Sequence, residues 1–379
     1  MDSDLIPHLE QMVESNGSDL FLSVGAPPNV KVEGLTVALA GPCLEAGDVK
    51  ALAYGIMTEK QIARFESKLE MNFALNAAPI GRFRVNVYQQ RGETAMVVRH
   101  IKENVPSFGE LSLPPILSSL VELKRGLVLI VGATGSGKST TLASMIDHRN
   151  STATGHILSV EDPIEFMHHH KKSIVDQREI GIDTLSYCDA LKNAMREAPD
   201  VIAIGEIRDR DTMQDAIAYA DTGHLCLSTL HASNSNQAIE RIINFFPEQG
   251  RKQLLLDLSL NLQAIVSQRL VPGLQARQVP AVEVMLRSPL VADLIQAGRI
   301  DEIRSVMARS NEIGMTTFDQ SLYLLHEAGQ VSLEQALFNA DSKTDLRLRI
   351  KLSQPRDGAL SAPELRGASL TSLATVPAR

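Results

Sequence analysis

Alternation of apolar and polar positions runs through Gly81–Gln90 and, less regularly, Glu93–Ile101, well enough for antiparallel strands, and the Arg91-Gly92 pair between them predicts a hairpin turn. Glu70–Leu75 alternates in the same way and adds a third antiparallel strand. Upstream, Asp4–Glu14 reads as a helix and Asp19–Val24 as a strand. Pro27-Pro28 marks a turn, and Val30–Val32 and Leu35–Leu39 read as short strands around Gly34. Ala46–Tyr54 and Glu59–Ser67 carry helical spacing. Residues 1–104 are therefore expected to form a small α+β domain.

Pro106 to Gly109 interrupts every periodicity, so 105–112 is expected to be a linker, followed by a helix containing Ile116–Leu123. The rhythm then changes. Continuous apolar runs of strand length, Leu127–Val131, Ile157–Val160, Val201–Ile204 and Leu225–Leu230, alternate with helical stretches at Lys138–His148, Tyr187–Glu197 and Thr212–Ala220. Such alternation builds a mostly parallel sheet covered by helices on both faces. Asn236–Phe246 and Lys252–Leu270 read as two further helices. Past residue 285 the pattern is helical, at Pro289–Gln296, Asp301–Ala308 and Phe318–Glu327, so 113–352 is expected to be an α/β domain closed by C-terminal helices at about 286–352. Residues 353–379 hold three prolines and no aromatic residue, and are expected to be a disordered tail.

Composition narrows the class without changing this organisation. Of 379 residues, 44% are hydrophobic and 22% charged, which is ordinary for two folded domains. No apolar run approaches the ~20 residues of a membrane helix, and the acidic start MDSDLIPHLE is unlike a secretory or transit peptide. Cys43, Cys188 and Cys226 are isolated, which fits a reducing cytosol rather than a disulfide framework or thiolate metal site. A net charge of −8 with no tryptophan argues against nucleic acid as a partner.

The chemistry enters at Gly132-Ala-Thr-Gly-Ser-Gly-Lys138-Ser139-Thr140, a G-x-x-x-x-G-K-[ST] loop between an apolar strand and a helix. Backbone N–H groups from Gly132, Thr134, Gly135, Ser136, Gly137 and Thr140 can curl around the phosphates of ATP at the positive end of the helix. Lys138 reaches the β- and γ-phosphates, and the Ser139 hydroxyl is suited to Mg²⁺. Pro199–Glu206 is an apolar strand ending in an acid, with Gly205 where an aspartate is usual, so Glu206 is expected to orient water around Mg²⁺ or sense the γ-phosphate. Val160-Glu161-Asp162-Pro163-Ile164-Glu165 supplies a second acidic strand end, from which Glu161 or Glu165 would position the attacking water. His224 and His231 bracket one strand and are candidate γ-phosphate contacts. Arg82, Arg84, Arg91 and Arg99 crowd the N-terminal hairpin, and Arg84 and Arg99 are candidates to face the nucleotide across the domain cleft. His168-His169-His170 reads as a solvated loop, since adjacent residues cannot share one ion.

These four motifs, GATGSGKST, EDPIE, PDVIAIGEIRD and TGHLCLSTLHASN, occur in an order that resembles the secretion ATPases of type IV pili and type II secretion, in their retraction branch. The resemblance implies a PAS-like domain joined to a RecA-like ATPase domain, assembled as a hexameric ring that hydrolyses ATP with Mg²⁺ at the cytoplasmic face of the bacterial inner membrane. It further implies that Glu165 is the catalytic glutamate, that Glu206 is the Walker B acid and that His224 and His231 form a histidine box. By the same resemblance, Arg84 and Arg99 are the arginines that reach the nucleotide. The chain lacks the tetracysteine zinc site of the assembly ATPases. Its Ser288–Gln296 segment and its tail are similar to the companion type of retraction ATPase. That type implies two partners, a main retraction ATPase and an inner-membrane platform protein. The alternatives are the main retraction ATPase itself, or a coupling or regulatory subunit with little activity of its own.

Overall fold

The computed structural model describes residues 4–32, 34–275 and 278–353. The expected tail, beyond Ser353, lies outside the described residues.

Near the N-terminus come α1 (Ile6–Glu14), β1 (Asp19–Leu22), β2 (Asn29–Val32), β3 (Leu35–Ala38), α2 (Asp48–Ile56), α3 (Glu59–Lys68), β4 (Glu70–Ala77), β5 (Gly81–Gln90) and β6 (Glu93–Ile101). The strands form one antiparallel sheet in the order β3-β2-β1-β6-β5-β4. Along β5 the apolar positions Phe83, Val85 and Val87 are buried against Leu9, Met12, Val49, Ala53 and Phe65 of the three helices. Period-two alternation sends Arg82, Arg84 and Asn86 to the other face, and register pairs Arg84 with Arg99 on β6. That polar face is the one available to the rest of the chain.

After α4 (Ile116–Val121) the second sheet begins at β7 (Gly126–Val131), followed by α5 (Lys138–Thr152), β8 (Gly155–Glu161), β9 (Ser173–Glu179), α6 (Tyr187–Ala194) and β10 (Val201–Ile204). It continues through α7 (Arg210–Asp221), β11 (Leu225–Leu230), α8 (Ser235–Phe245), α9 (Arg251–Asn261), β12 (Leu262–Pro272) and β13 (Gln278–Leu286). The strand order is β13-β12-β7-β11-β10-β8-β9, parallel throughout except for β13. Every residue of β7, β10 and β11 is buried, because helices cover both faces. Leu127, Leu129 and Val131 pack against α6–α9, whereas Val128 and Ile130 pack against α4 and α5. The helices α10 (Pro289–Gln296), α11 (Ile303–Met307), α12 (Phe318–Glu327), α13 (Leu333–Asn339) and α14 (Lys343–Ser353) complete the described chain. No helix among the described residues is long and apolar enough to cross a membrane.

Three expectations need correction. The single helix expected at Lys252–Leu270 ends at Asn261, and the chain enters β12 at once. Leu, Gln and Ala favour a helix there, but pairing with β7 on one side and β13 on the other outweighs propensity. The polar edge strand β9 and the strand β13 were not expected. The helix expected at Asp301–Ala308 is a short 3-10 turn, Ile300–Glu302, running into α11.

Candidate nucleotide-binding site

In a parallel sheet the loops leaving the carboxyl ends of the strands converge, and here those of β7, β8, β10 and β11 enclose a cavity of about 200 Å³. The loop after β7 is shaped by its glycines. A Cβ at Gly132 would lie 2.3 Å from Ser136 Oγ and 2.6 Å from the Gln268 carbonyl of β12, so a side chain there would displace the loop. Gly137 takes φ +87° immediately before α5, a conformation that glycine adopts without strain. Lys138 Nζ donates to the carbonyls of Gly132 (3.0 Å) and Ala133 (2.9 Å). Burial lowers its pKa, while Glu206 and Glu165 pull it back up. Ser136 Oγ is buried without a hydrogen-bond partner among the described residues. Thr134, Gly135, Lys138 and Ser139 line the cavity, and Thr140 lines the two cavities beside it.

The acidic loop separates its two glutamates by environment. Glu161, at the end of β8, accepts from Ser159 Oγ at 2.6 Å and from Gln177 Nε2 at 3.2 Å. Burial raises its pKa. Glu165 is exposed and its carboxyl has no hydrogen-bond partner among the described residues, leaving it available. It lines both the P-loop cavity and a neighbouring one of about 280 Å³ bounded by Arg84 and Arg99. The arginines therefore meet Glu165 on its far side and do not line the P-loop cavity itself. Arg99 Nε is engaged with Asp19 Oδ1 at 2.7 Å.

Glu206 follows β10, with one oxygen 3.1 Å from His231 Nε2 and the other 2.8 Å from Arg208 Nε. Burial and the nearby Lys138 charge lower the His231 pKa, against a smaller opposing pull from Glu206. The glycine at 205 has a local cause. A Cβ there would sit 3.2 Å from Glu161 Cα, 3.2 Å from the Tyr187 hydroxyl and 3.3 Å from the Val160 carbonyl.

Within the chain His224 is not brought to this site. It precedes β11 whereas His231 follows it, so a whole strand separates them. The His224 ring meets Thr222 Oγ1 at 3.1 Å and stands edge-on to Tyr219. His168 also departs from expectation. Its neighbours His169 and His170 are exposed, but His168 is buried at the wall of the P-loop cavity, and its Nδ1 has no hydrogen-bond partner among the described residues. Residue patterns gave no signal for Tyr187, Arg208, Thr229 or His168 as cavity lining, nor for Gln177 and Gln268 behind it.

The residues present fit a magnesium nucleotide. Ser139, Glu206 and Glu165 are hard oxygen donors, which suit Mg²⁺ completed by water and phosphate oxygens. The unpartnered Ser136 hydroxyl and the buried Lys138 are matched by phosphate.

A family model described as type II/IV secretion system protein matches residues 50–317. The chain is 52% identical over 363 residues to the type IV pilus ATPase PilU of Pseudomonas aeruginosa, covering 96% of this chain and 95% of that protein. It is 39% identical over 333 residues to the retraction ATPase PilT of the same organism, covering 88% and 97%. The crystal structure of the pilus retraction motor PilT with bound ADP superposes with a TM-score of 0.85 at 39% identity, over 92% of this chain and all (100%) of that one. With a P-loop strand, two acidic strand ends and a histidine gathered at the carboxyl ends of the strands of a RecA-like sheet, this chain belongs to the type II/IV secretion system ATPases.

Proposed function

We propose that the chain is a PilU-type motor that hydrolyses ATP to power retraction of type IV pili and so twitching motility. It would act as a hexameric ring at the cytoplasmic face of the inner membrane, beside a PilT-like ATPase and against a PilC-like platform protein. The observation that carries the reading is near-full-length identity of 52% to a PilU, against 39% to a PilT, in a chain whose P-loop and acidic loop face one cavity.

In this reading Lys138 and the P-loop amides hold the phosphates, with the Ser136 hydroxyl donating to an oxygen of the chain. Ser139, and Glu206 through water, would hold Mg²⁺, which would supply charge neutralisation for the phosphates. Glu165, exposed and unengaged, orients the attacking water in line with the γ-phosphate and accepts its proton. The contacts of half-buried Glu161 with Ser159 and Gln177 favour Glu165 over it in that role. His231 gives its Nε2–H to Glu206 here and would turn that single donor toward the γ-phosphate of bound ATP, returning it when the phosphate is lost. Arg84 and Arg99 lie across the cleft, so closing it brings positive charge toward the transferred phosphoryl group. Opening and closing of that cleft is the movement the ring would transmit.

The test is steady-state ATP hydrolysis by the purified protein beside Glu165→Gln and Lys138→Ala. Both substitutions are expected to abolish turnover, and Glu165→Gln to retain ATP binding. Turnover retained in Glu165→Gln removes that residue from the water-orienting role.

A further inference from the structure

The Glu165 loop leaves β8 at Glu161 and re-enters ordered pairing near Phe166–His168, and one side chain spans it. Gln177 lies on the edge strand β9, in parallel register with Ser159. Its Nε2 donates to Glu161 Oε1 at 3.2 Å and to the Phe166 carbonyl at 2.9 Å, while its Oε1 accepts from the His168 backbone N–H at 2.8 Å. The amide orientation is fixed by these partners, because a backbone N–H must meet the oxygen and a carbonyl must meet the nitrogen. Two acceptors and one donor at one point match an amide terminus, and neither a carboxylate nor an aliphatic chain can serve all three.

The Glu161 carboxylate that Gln177 holds also takes the backbone N–H of Glu165, and the remaining ties are backbone or longer. The Met167 N–H donates to the Lys102 carbonyl at 3.0 Å, joining the loop to the N-terminal sheet, and the Ile164 N–H reaches Glu179 Oε2 at 3.4 Å. The loop segment bearing Glu165 thus hangs between the two sheets, and Gln177 alone grips both of its ends from the ATPase sheet. We infer that Gln177 is a positioning residue for the hydrolytic step: it sets where the Glu165 carboxyl sits over the P-loop cavity without touching nucleotide itself. This rests on the reading of Glu165 given above.

Misplacing a catalytic group by about 1 Å lowers rate on the order of 100-fold while leaving the substrate contacts made elsewhere intact. The phosphate contacts come from the β7 loop, which Gln177 does not touch. The full-length protein is therefore compared with Gln177→Glu and Gln177→Met, two substitutions that keep the side-chain length, and with Ser159→Ala and Glu165→Gln. Turnover, KM for ATP, affinity for a fluorescent ATP analogue and thermal midpoint are measured for each. Both Gln177 variants are expected to lose kcat by about 100-fold, with KM and analogue affinity held at the wild-type level. Ser159→Ala removes another donor to Glu161 but leaves the loop bridged, and is expected to turn over like wild type. Wild-type kcat in both Gln177 variants overturns the proposal. So does a loss of analogue affinity that tracks the loss of kcat, which marks general destabilisation, or an equal kcat loss in Ser159→Ala, which assigns the effect to Glu161. If Glu165→Gln itself retains turnover, the reading of Glu165 fails first and this inference with it. A failure confined to Gln177 leaves that reading standing.

Discussion

Glu206 Oε1 lies 3.1 Å from His231 Nε2, across the ends of the adjacent parallel strands β10 and β11. The pair holds the imidazole at the cavity wall, with its pKa lowered chiefly by burial and next by Lys138. At pH 7 and above the ring is therefore neutral and carries one N–H donor. His231→Ala is expected to reduce kcat by on the order of 100-fold, the usual effect of removing one oriented donor at a developing charge. Affinity for ATP should hold, since Lys138 and the loop amides are untouched. Phosphate release from pH 7 to 8 should also be flat in the wild type. A histidine titration limb inside that range would contradict the lowered pKa.

The glycine at 205 makes a second expectation. Gly205→Asp restores the residue usual for a Walker B strand, yet three atoms stand within 3.2–3.3 Å of its Cβ, two of them backbone. Overpacking of this kind costs about 1–3 kcal/mol. The displaced atoms belong to Val160 and Glu161 at the root of the Glu165 loop, so denaturant unfolding should register a loss of stability and turnover should fall with it. Unchanged stability in Gly205→Asp would mean the strand end yields freely.

How much of this was legible in the residues depended on whether one element carried the signal. β5 and β6 have one buried and one open face, so Phe83, Val85 and Val87 alternate with polar neighbours and the hairpin reads directly. The P-loop is contiguous and reads just as well. β12 does not, because a strand enclosed on both sides has no alternation, and Leu262 to Leu270 is equally good helix. What sets Glu161 apart from Glu165 is its contact with Ser159 and Gln177, the second of which comes from another strand. His224 and His231 read as the two ends of one strand, and β11 holds them apart so that His231 alone of the two lines the cavity.

His168 supplies a pH prediction. Burial lowers its pKa from 6.5 to about 4, and its side chain is 1% exposed. The folded-state value lies below the unfolded one, so between pH 6.5 and about 4 the unfolded chain takes up the extra proton. Stability therefore falls as pH falls through that window, by about 3 kcal/mol from this residue. His168→Leu removes the titration, and urea unfolding at pH 7 and pH 4.5 should show a shallower acid loss than in the wild type. An acid limb as steep as the wild type's would place the ring in contact with water.

Gln268 shows what the missed strand does for the site. Its Oε1 accepts from the buried Thr141 hydroxyl of α5 at 2.7 Å, and its main-chain oxygen is the atom that a side chain at Gly132 would strike. β12 is thus the wall against which the P-loop and the first turn of α5 are set. Gln268→Leu strands the Thr141 hydroxyl away from water, which costs about 1–3 kcal/mol. The P-loop leans on the same position, so affinity for ATP should weaken along with stability. Replacing both partners by apolar groups of similar shape removes the stranded donor, and such replacements are nearly neutral. Thr141→Val with Gln268→Leu should therefore recover most of the stability lost in Gln268→Leu alone. Denaturant unfolding of the two single variants and the double variant measures the coupling. Additive losses would mean that the two side chains act independently and that the P-loop draws its shape from its glycines alone.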